Sequence, residues 1–269
     1  MTTPLLNSST RWANVHLDRE TERKAALETI DLLRSIKNLA QEALVQQKEN
    51  DLSWTYPFSR WQPEHLDFIL ATIGTGEVRI SIDDGRVKLE ETAIPALWHM
   101  QNDGEHSLVL ALLPSVVGQA IDQTCEDLTI PNETPQNVFA APSILLELQT
   151  ALAKADLTKL TYDPAYMIEL TRQPLDTNDR EFLQKTLGEG QIEIWMSGFA
   201  NAHIRSTKVK GIWNSHLLNN AGKELLDSVV VARIPPEVPC AAEELEDTVR
   251  IASETLQWLE DDLERGTLG

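Results

Sequence analysis

Two cysteines in 269 residues exclude a multi-bridge disulfide framework, and Cys125 and Cys240 have no Cys-x-x-Cys spacing. They read as free thiols of a reducing compartment. Basic residues are also short: 23 Lys and Arg stand against 42 Asp and Glu, a formal net charge of −19. That balance repels a phosphate backbone and an anionic bilayer, so neither nucleic acid nor membrane is an expected partner, whereas a basic protein segment is. No apolar run approaches the ~20 residues of a membrane span. The start, Met1-Thr-Thr-Pro-Leu-Leu, lacks a charged region followed by an apolar one, so a cytoplasmic location is expected. His-Glu-x-x-His and Gly-x-Ser-x-Gly are missing as well, which removes the linear signatures of a zinc peptidase and an α/β-hydrolase. No enzyme activity, catalytic residue or cofactor is assigned, although a hydrolase with a dispersed site would leave no such motif.

What is present occurs twice. Phe68-Ile-Leu-Ala-Thr-Ile-Gly74-Thr-Gly76-Glu-Val78-Arg-Ile80 is answered by Phe182-Leu-Gln-Lys-Thr-Leu-Gly188-Glu-Gly190-Gln-Ile192-Glu-Ile194. Glu91-Thr92-Ala-Ile94-Pro-Ala-Leu97-Trp98 is answered by Ser206-Thr207-Lys-Val209-Lys-Gly-Ile212-Trp213, and Leu108 to Pro114 by Val229 to Pro235. Gly74 and Gly188 are 114 positions apart, Trp98 and Trp213 115, and Pro114 and Pro235 121. The offset grows only where turns are expected, and lengthening a surface loop costs little. The fold class is therefore α+β with an internal duplication: two repeats of one helix on an antiparallel sheet, with N-terminal, connecting and C-terminal helices. Residues 1–58 form an N-terminal helical segment and extended entry, 59–130 the first repeat, 131–172 the connector, and 173–269 the second repeat with an acidic amphipathic tail helix.

Periodicity places the helices. Between Asp18 and Glu49, Ala26, Ile30, Leu33, Ile36, Ala40 and Ala43 recur at spacings of three and four, a stripe that favours docking within the chain. Pro63 suits a first helical turn, and Gly74 and Gly188 suit helix stops. Asn178 with Glu181 predicts a capping box at the second repeat's helix. Strands are expected over Val78 to Leu89 with a turn at Asp83-Asp84-Gly85, over Thr92 to Gln101, and over Ser107 to Leu113. Ala141-Pro142-Ser143 opens the connecting helix. In the tail, Leu245, Val249, Ala252, Leu256, Leu259 and Leu263 step by fours and threes opposite a face rich in acids.

The glycine pairs follow a helix and precede a strand, the reverse of a phosphate-binding loop, and a carboxylate at Glu77 or Glu189 would repel phosphate. Structural turns are expected there. Trp98 and Trp213 are core residues by strand alternation. The alternative is a groove in which exposed tryptophans, with Thr92 and Thr207, line an extended-peptide site at a sheet edge. Glu243, Glu244, Asp261 and Asp262 are candidate partner contacts, against the plainer reading of a solvated helix face. Cys125 or Cys240 with His99 and His216 could form a soft metal site, against ordinary strand-edge histidines.

These strings, with the closing Val-Val-Val-Ala-Arg-Ile-Pro235-Pro236-Glu237-Val238-Pro239, resemble the HupH/HyaF proteins of nickel-iron uptake hydrogenase operons over about residues 55 to 265. The resemblance implies a cytoplasmic accessory protein or chaperone of hydrogenase maturation. Its implied partners are the iron-sulfur small subunit precursor, bound before export, and other maturation accessory proteins. It supplies no catalytic residues. A metal or iron-sulfur carrier using Cys125 or Cys240 and nearby histidines is the alternative function.

Overall fold

A 28-residue helix opens after Asp18, whose carboxylate accepts the amides of Glu20 at 3.0 Å and Thr21 at 3.1 Å. This N-cap satisfies donors that a helix start otherwise leaves orphaned. The computed structural model describes residues 17–59, 61–124, 126–160, 163–198 and 201–268. The chain forms two units: Met1–Gly76, Glu90–Pro114 and Cys240–Gly269 in the first, and Glu77–Leu89 with Ser115–Pro239 in the second.

In the first unit, helix α1 (Arg19–Gln46) packs on α2 (Pro63–Ile73) and on the C-terminal helix. Its expected stripe, Ala26, Ile30, Leu33, Ile36, Ala40 and Ala43, is buried. Strands β1 (Trp54–Pro57), β4 (Leu97–Asn102) and β5 (Glu105–Leu110) run in the order β1-β5-β4, all antiparallel. Leu97, Leu108 and Leu110 join Phe68, Ile69 and Ile73 in the same core as α1.

In the second unit, β2 (Val78–Ile82) pairs antiparallel with β7 (Ile192–Met196), Ile80 opposite Ile194. β3 (Val87–Glu91) returns beside β2 and carries the chain from the second unit into the first. Beyond β7 lie β8 (Asn201–Ser206), β9 (Ile212–Leu218), β10 (Glu224–Val231) and the edge strand β6 (Tyr166–Glu169). Helices α3 (Ser115–Gln123), α4 (Ala141–Leu152) and α5 (Thr177–Leu187) complete it. Leu145, Leu148, Leu183 and Leu187 pack with Ile168, Val229 and Val231 as its core. Helix and antiparallel sheet are thus combined as the α+β class expects.

The last helix, α6 (Leu245–Glu264), lies in the first unit rather than at the end of a second repeat. Its apolar face, Leu245, Leu256 and Leu259, completes the core that α1 begins, and Arg34 reaches Glu260 at 2.6 Å. Burial of two long apolar stripes against each other outweighs chain proximity. The capping box of α5 also falls two residues early. Asp176 accepts the Asp179 amide at 2.9 Å, and the Asp179 side chain is drawn inward to accept the amides of Phe139, Ala140 and Ala141 at 2.9 to 3.0 Å. Asn178 and Glu181 are outside this box. Helix α3 and strand β6 were not anticipated at all.

A shared geometry explains the glycine pairs. Gly74 and Gly188 end α2 and α5 with φ of +67° and +64°, and each amide closes the last turn, on Leu70 and Gln184 respectively. The second glycine of each pair is required for space. A Cβ on Gly76 would lie 2.7 Å from the Thr92 carbonyl oxygen, and one on Gly190 2.3 Å from Ser206 Oγ and 2.5 Å from the Thr207 oxygen. Each threonine then folds the following backbone into a corner. Thr92 Oγ1 accepts the Ile94 amide at 3.2 Å and Thr207 Oγ1 the Val209 amide at 3.2 Å. Because those corners occupy Thr92 to Ala96, β4 starts five residues later than the hydrophobic pattern suggests, with Ala96 at φ +58°. Past each corner, Trp98 Nε1 donates to the Ala111 carbonyl at 3.0 Å and Trp213 Nε1 to the Ala232 carbonyl at 3.1 Å.

Gly190→Ala forces backbone apart and is expected to destabilise by about 1–3 kcal/mol or more. Gly118→Ala on α3, where the new methyl meets only Arg233 Nη2 at 3.7 Å, is expected to stabilise by up to ~1 kcal/mol. Denaturant melts of the two variants check both signs.

Candidate functional site

The β2–β3 turn is built from two aspartates in left-handed backbone, Asp83 at φ +51° and Asp84 at +53°. Asn and Asp tolerate that region better than most residues. The Asp83 amide donates to the Gln191 carbonyl at 3.0 Å, which pins the turn to the loop that follows α5. The end of α3 adds Gln123 and Thr124, and Glu126 is held by its carbonyl, which accepts the Lys210 amide at 3.2 Å. Together with Glu189, Gly190, Thr207 and Lys208 these residues surround a cleft of about 460 Å³ in the second unit.

The cleft is acidic, and its acids are largely uncommitted. Asp83 pairs with Arg86. Glu189 meets only the carboxamide of Gln184 at 3.4 Å. Asp84, Glu126 and Glu189 have no ion-pair partner among the described residues. Lys208 is the single cation in the wall, and its methylene stem lies against Gly188. Carboxylates accept without donating, so such a rim suits guanidinium and ammonium groups.

α3 is held to this place by Gln191 Nε2, which donates to the Ala120 carbonyl at 3.2 Å, and by an ion-pair cluster at Asp122. Asp122 accepts Arg233 at 2.8 and 2.9 Å, with Lys210 at 3.2 Å. The Arg233 hydrogen bonds, and then Lys210, overcome partial burial and lower the Asp122 carboxyl from 3.8 to about 2.

The candidates read from sequence are placed otherwise. Thr92, Trp98, Thr207 and Trp213 are all at most 3% exposed. Their polar atoms are spent on local backbone, so exposed tryptophans lining a peptide groove are not what the chain presents, and the core reading of the indoles holds. On α6, Glu244 accepts the Ala241 amide at 3.1 Å and Cys240 Sγ at 3.0 Å. Asp261 accepts Gln257 at 2.9 Å, and Asp262 the Thr267 hydroxyl at 3.3 Å and its carbonyl that of Thr267 at 2.9 Å. Glu243 precedes them on the turn Ala242–Glu244. The tail acids are therefore mostly engaged in capping and local pairing.

Cys125 lies outside the described residues. Cys240 is a buried thiol whose pKa burial, reinforced by Glu244, pushes well up, the opposite of an activated thiolate. His99 Nε2 sits 2.9 Å from His106 Nδ1 with the rings stacked, and His216 lies 3.5 Å from Asp227. Among the described residues no group of three or more His, Cys, Asp or Glu is arranged to hold a metal. No helix among them is long and apolar enough to cross a membrane.

Residues 138–259 match the family model described as HupH hydrogenase expression protein, C-terminal conserved region. The chain is similar to the HupH/HyaF hydrogenase expression proteins. Hydrogenase expression/formation protein HupQ of Azotobacter chroococcum mcd 1 is 28% identical over 227 residues, 82% of this chain and 79% of that one. Hydrogenase-1 operon protein HyaF of Escherichia coli K12 is 27% identical over 203 residues, 71% of this chain and 68% of that one. The solved hydrogenase expression protein HupH from Thiobacillus denitrificans ATCC 25259 covers 45% of this chain and 95% of its own, at 22% identity and a TM-score of 0.38. The HupH region takes in Glu189, Gly190, Thr207 and Lys208 of the cleft, while Asp83, Asp84 and Glu126 precede it.

Sequence reasoning used Glu189 only to argue against phosphate and Asp83-Asp84 only as a turn. What unites them is the pairing of β2 with β7, which brings the β2 hairpin to the loop that follows α5.

Because the folded Asp122 pKa is lowered, its stabilisation is present above 3.8 and is lost as pH falls through about 2. Asp122→Asn is therefore expected to melt below the wild type near neutral pH, with the gap closing as acid protonates Asp122. Melting curves across that range check it.

Proposed function

We propose that this protein is a non-catalytic accessory factor of nickel-iron hydrogenase maturation that holds a basic segment of the iron-sulfur small subunit precursor before export. The observation that carries the reading is the cleft in which Asp84, Glu126 and Glu189 face solvent-accessible space without ion-pair partners among the described residues. A net charge of −19 extends the same attraction over long range and favours fast, salt-sensitive capture. The relatives' names, hydrogenase expression/formation protein and hydrogenase-1 operon protein, support the pathway. Within the precursor, the twin-arginine leader or the cluster-binding region supplies the cations.

We also infer that the two halves arose by internal duplication. Support comes from the paired capping glycines, the glycines excluded from carrying a Cβ, the threonine corners and the indole bonds. The strand preceding each helix also pairs with the last strand of its own copy, β1 with β5 and β6 with β10. Asp84, Glu126 and Glu189, acids without an ion pair among the described residues, lie beside the second glycine pair.

Calorimetric titration with the precursor, with and without its leader, tests the function. Combined Asp84→Asn, Glu126→Gln and Glu189→Gln substitutions are expected to weaken binding ~10-fold, three exposed pairs at about 0.5 kcal/mol each. Combined Glu243→Gln and Asp261→Asn substitutions should leave it unchanged. Affinity that ignores ionic strength and leader removal contradicts the proposal.

A further inference from the structure

A second, smaller cavity in the same unit mixes both signs of charge with an apolar wall. It lies between α5 and strands β8 to β10, encloses about 250 Å³, and has Leu170, Leu183, Leu187 and Val229 as its apolar wall. Facing that wall are Arg180, Arg205, Asn214, His216 and Asp227. The register explains how they converge. Arg205 stands opposite Asn214, and His216 opposite Asp227, so side chains from three strands share one face of the sheet.

The one buried carboxylate there is already neutralised. Asp227 has a 7% exposed side chain, accepts Arg180 at 2.6 Å, and has His216 at 3.5 Å. Its amide is taken by Thr171 Oγ1 at 2.8 Å. Arg205 is different. It has no ion pair and no side-chain hydrogen bond among the described residues, although Glu193 stands across from it on β7, and Asn214 beside it is equally unengaged. A guanidinium fork next to a carboxamide donor, over an apolar wall, matches a carboxylate that carries a hydrocarbon body. In a chain this acidic, an arginine that faces a cavity without an ion pair among the described residues is the exception.

We propose that this cavity binds a small organic carboxylate, with Arg205 and Asn214 gripping the carboxylate and Leu183, Leu187 and Val229 receiving its apolar part. Its volume is below the ~300–1,000 Å³ of sites for drug-sized ligands, so the ligand is metabolite-sized. The site stands independently of precursor binding. Glu189 borders both cavities, so it is left untouched in the test.

Titration of the intact protein with succinate and benzoate, against inorganic phosphate and methylammonium, decides the matter by calorimetry. Binding by a carboxylate but not by the controls is expected. Arg205→Ala should weaken it ~10–100-fold, the loss of a charge-assisted hydrogen bond. Asn214→Asp places a carboxylate opposite Arg205 and should abolish it, which keeps the test open if Arg205→Ala fails to fold. No carboxylate binding at millimolar concentration, equal binding of phosphate, or undiminished binding by a folded Asn214→Asp variant overturns the proposal.

Discussion

The rest of the structure depends on a close backbone approach made twice. Gly76 and Gly190 let the chain leaving a helix pass so near Thr92 and Thr207 that no side chain fits between. That contact fixes where each helix ends and how the next strand starts. The Gly76 amide donates to the Glu91 carbonyl at 2.7 Å and the Gly190 amide to the Ser206 carbonyl at 2.9 Å, so the approach is also bonded. Once it is made, each indole has only one place to go, into the core with its N–H on a fixed carbonyl. A buried indole without that acceptor would cost the full desolvation of its donor.

The same approach positions charge. The loop after α5 must run beside the β2–β3 turn because the Asp83 amide is bonded to Gln191, and that brings Asp84 within one cleft with Glu189. Along α6 several acids are spent locally. Arg250 bridges Asp247 at 2.8 Å and Glu254 at 3.1 Å along α6, and Glu260 answers Arg34. Exposed pairs of that kind contribute little to stability, but they do remove carboxylates from the supply available to a partner. A high net charge therefore does not by itself say where a cation is held; the distribution of unpaired groups does.

Much of the fold was legible because it rests on period and punctuation. The stripe of α1, the proline start of α2, the glycine stops and the β2–β3 hairpin follow from spacing and backbone preference alone. What was not legible depended on groups far apart in the chain. The dock of α6 on α1 joins residues more than 200 positions apart, as Arg34 with Glu260 does. The α5 cap moved to Asp176 because Asp179 serves three amides of the α4 entry. β6 is four residues long and has exposed Tyr166 and Met167, so it carries no alternation to read. The candidate sites were least legible. Asp84, Glu126 and Glu189 come from three separate stretches, and Arg205 is one of many polar strand residues until its lack of a partner is seen.

The central claim is that the acidic cleft of the second unit receives a basic segment of the partner. Hydrogen exchange of the chain with and without the small subunit precursor tests it most directly. The account predicts slowed exchange at residues 83–86, 124 and 126, and 189–191, with the outer face of α6 unchanged. Slowing confined to α6, with the cleft exchanging at its free rate, would contradict it.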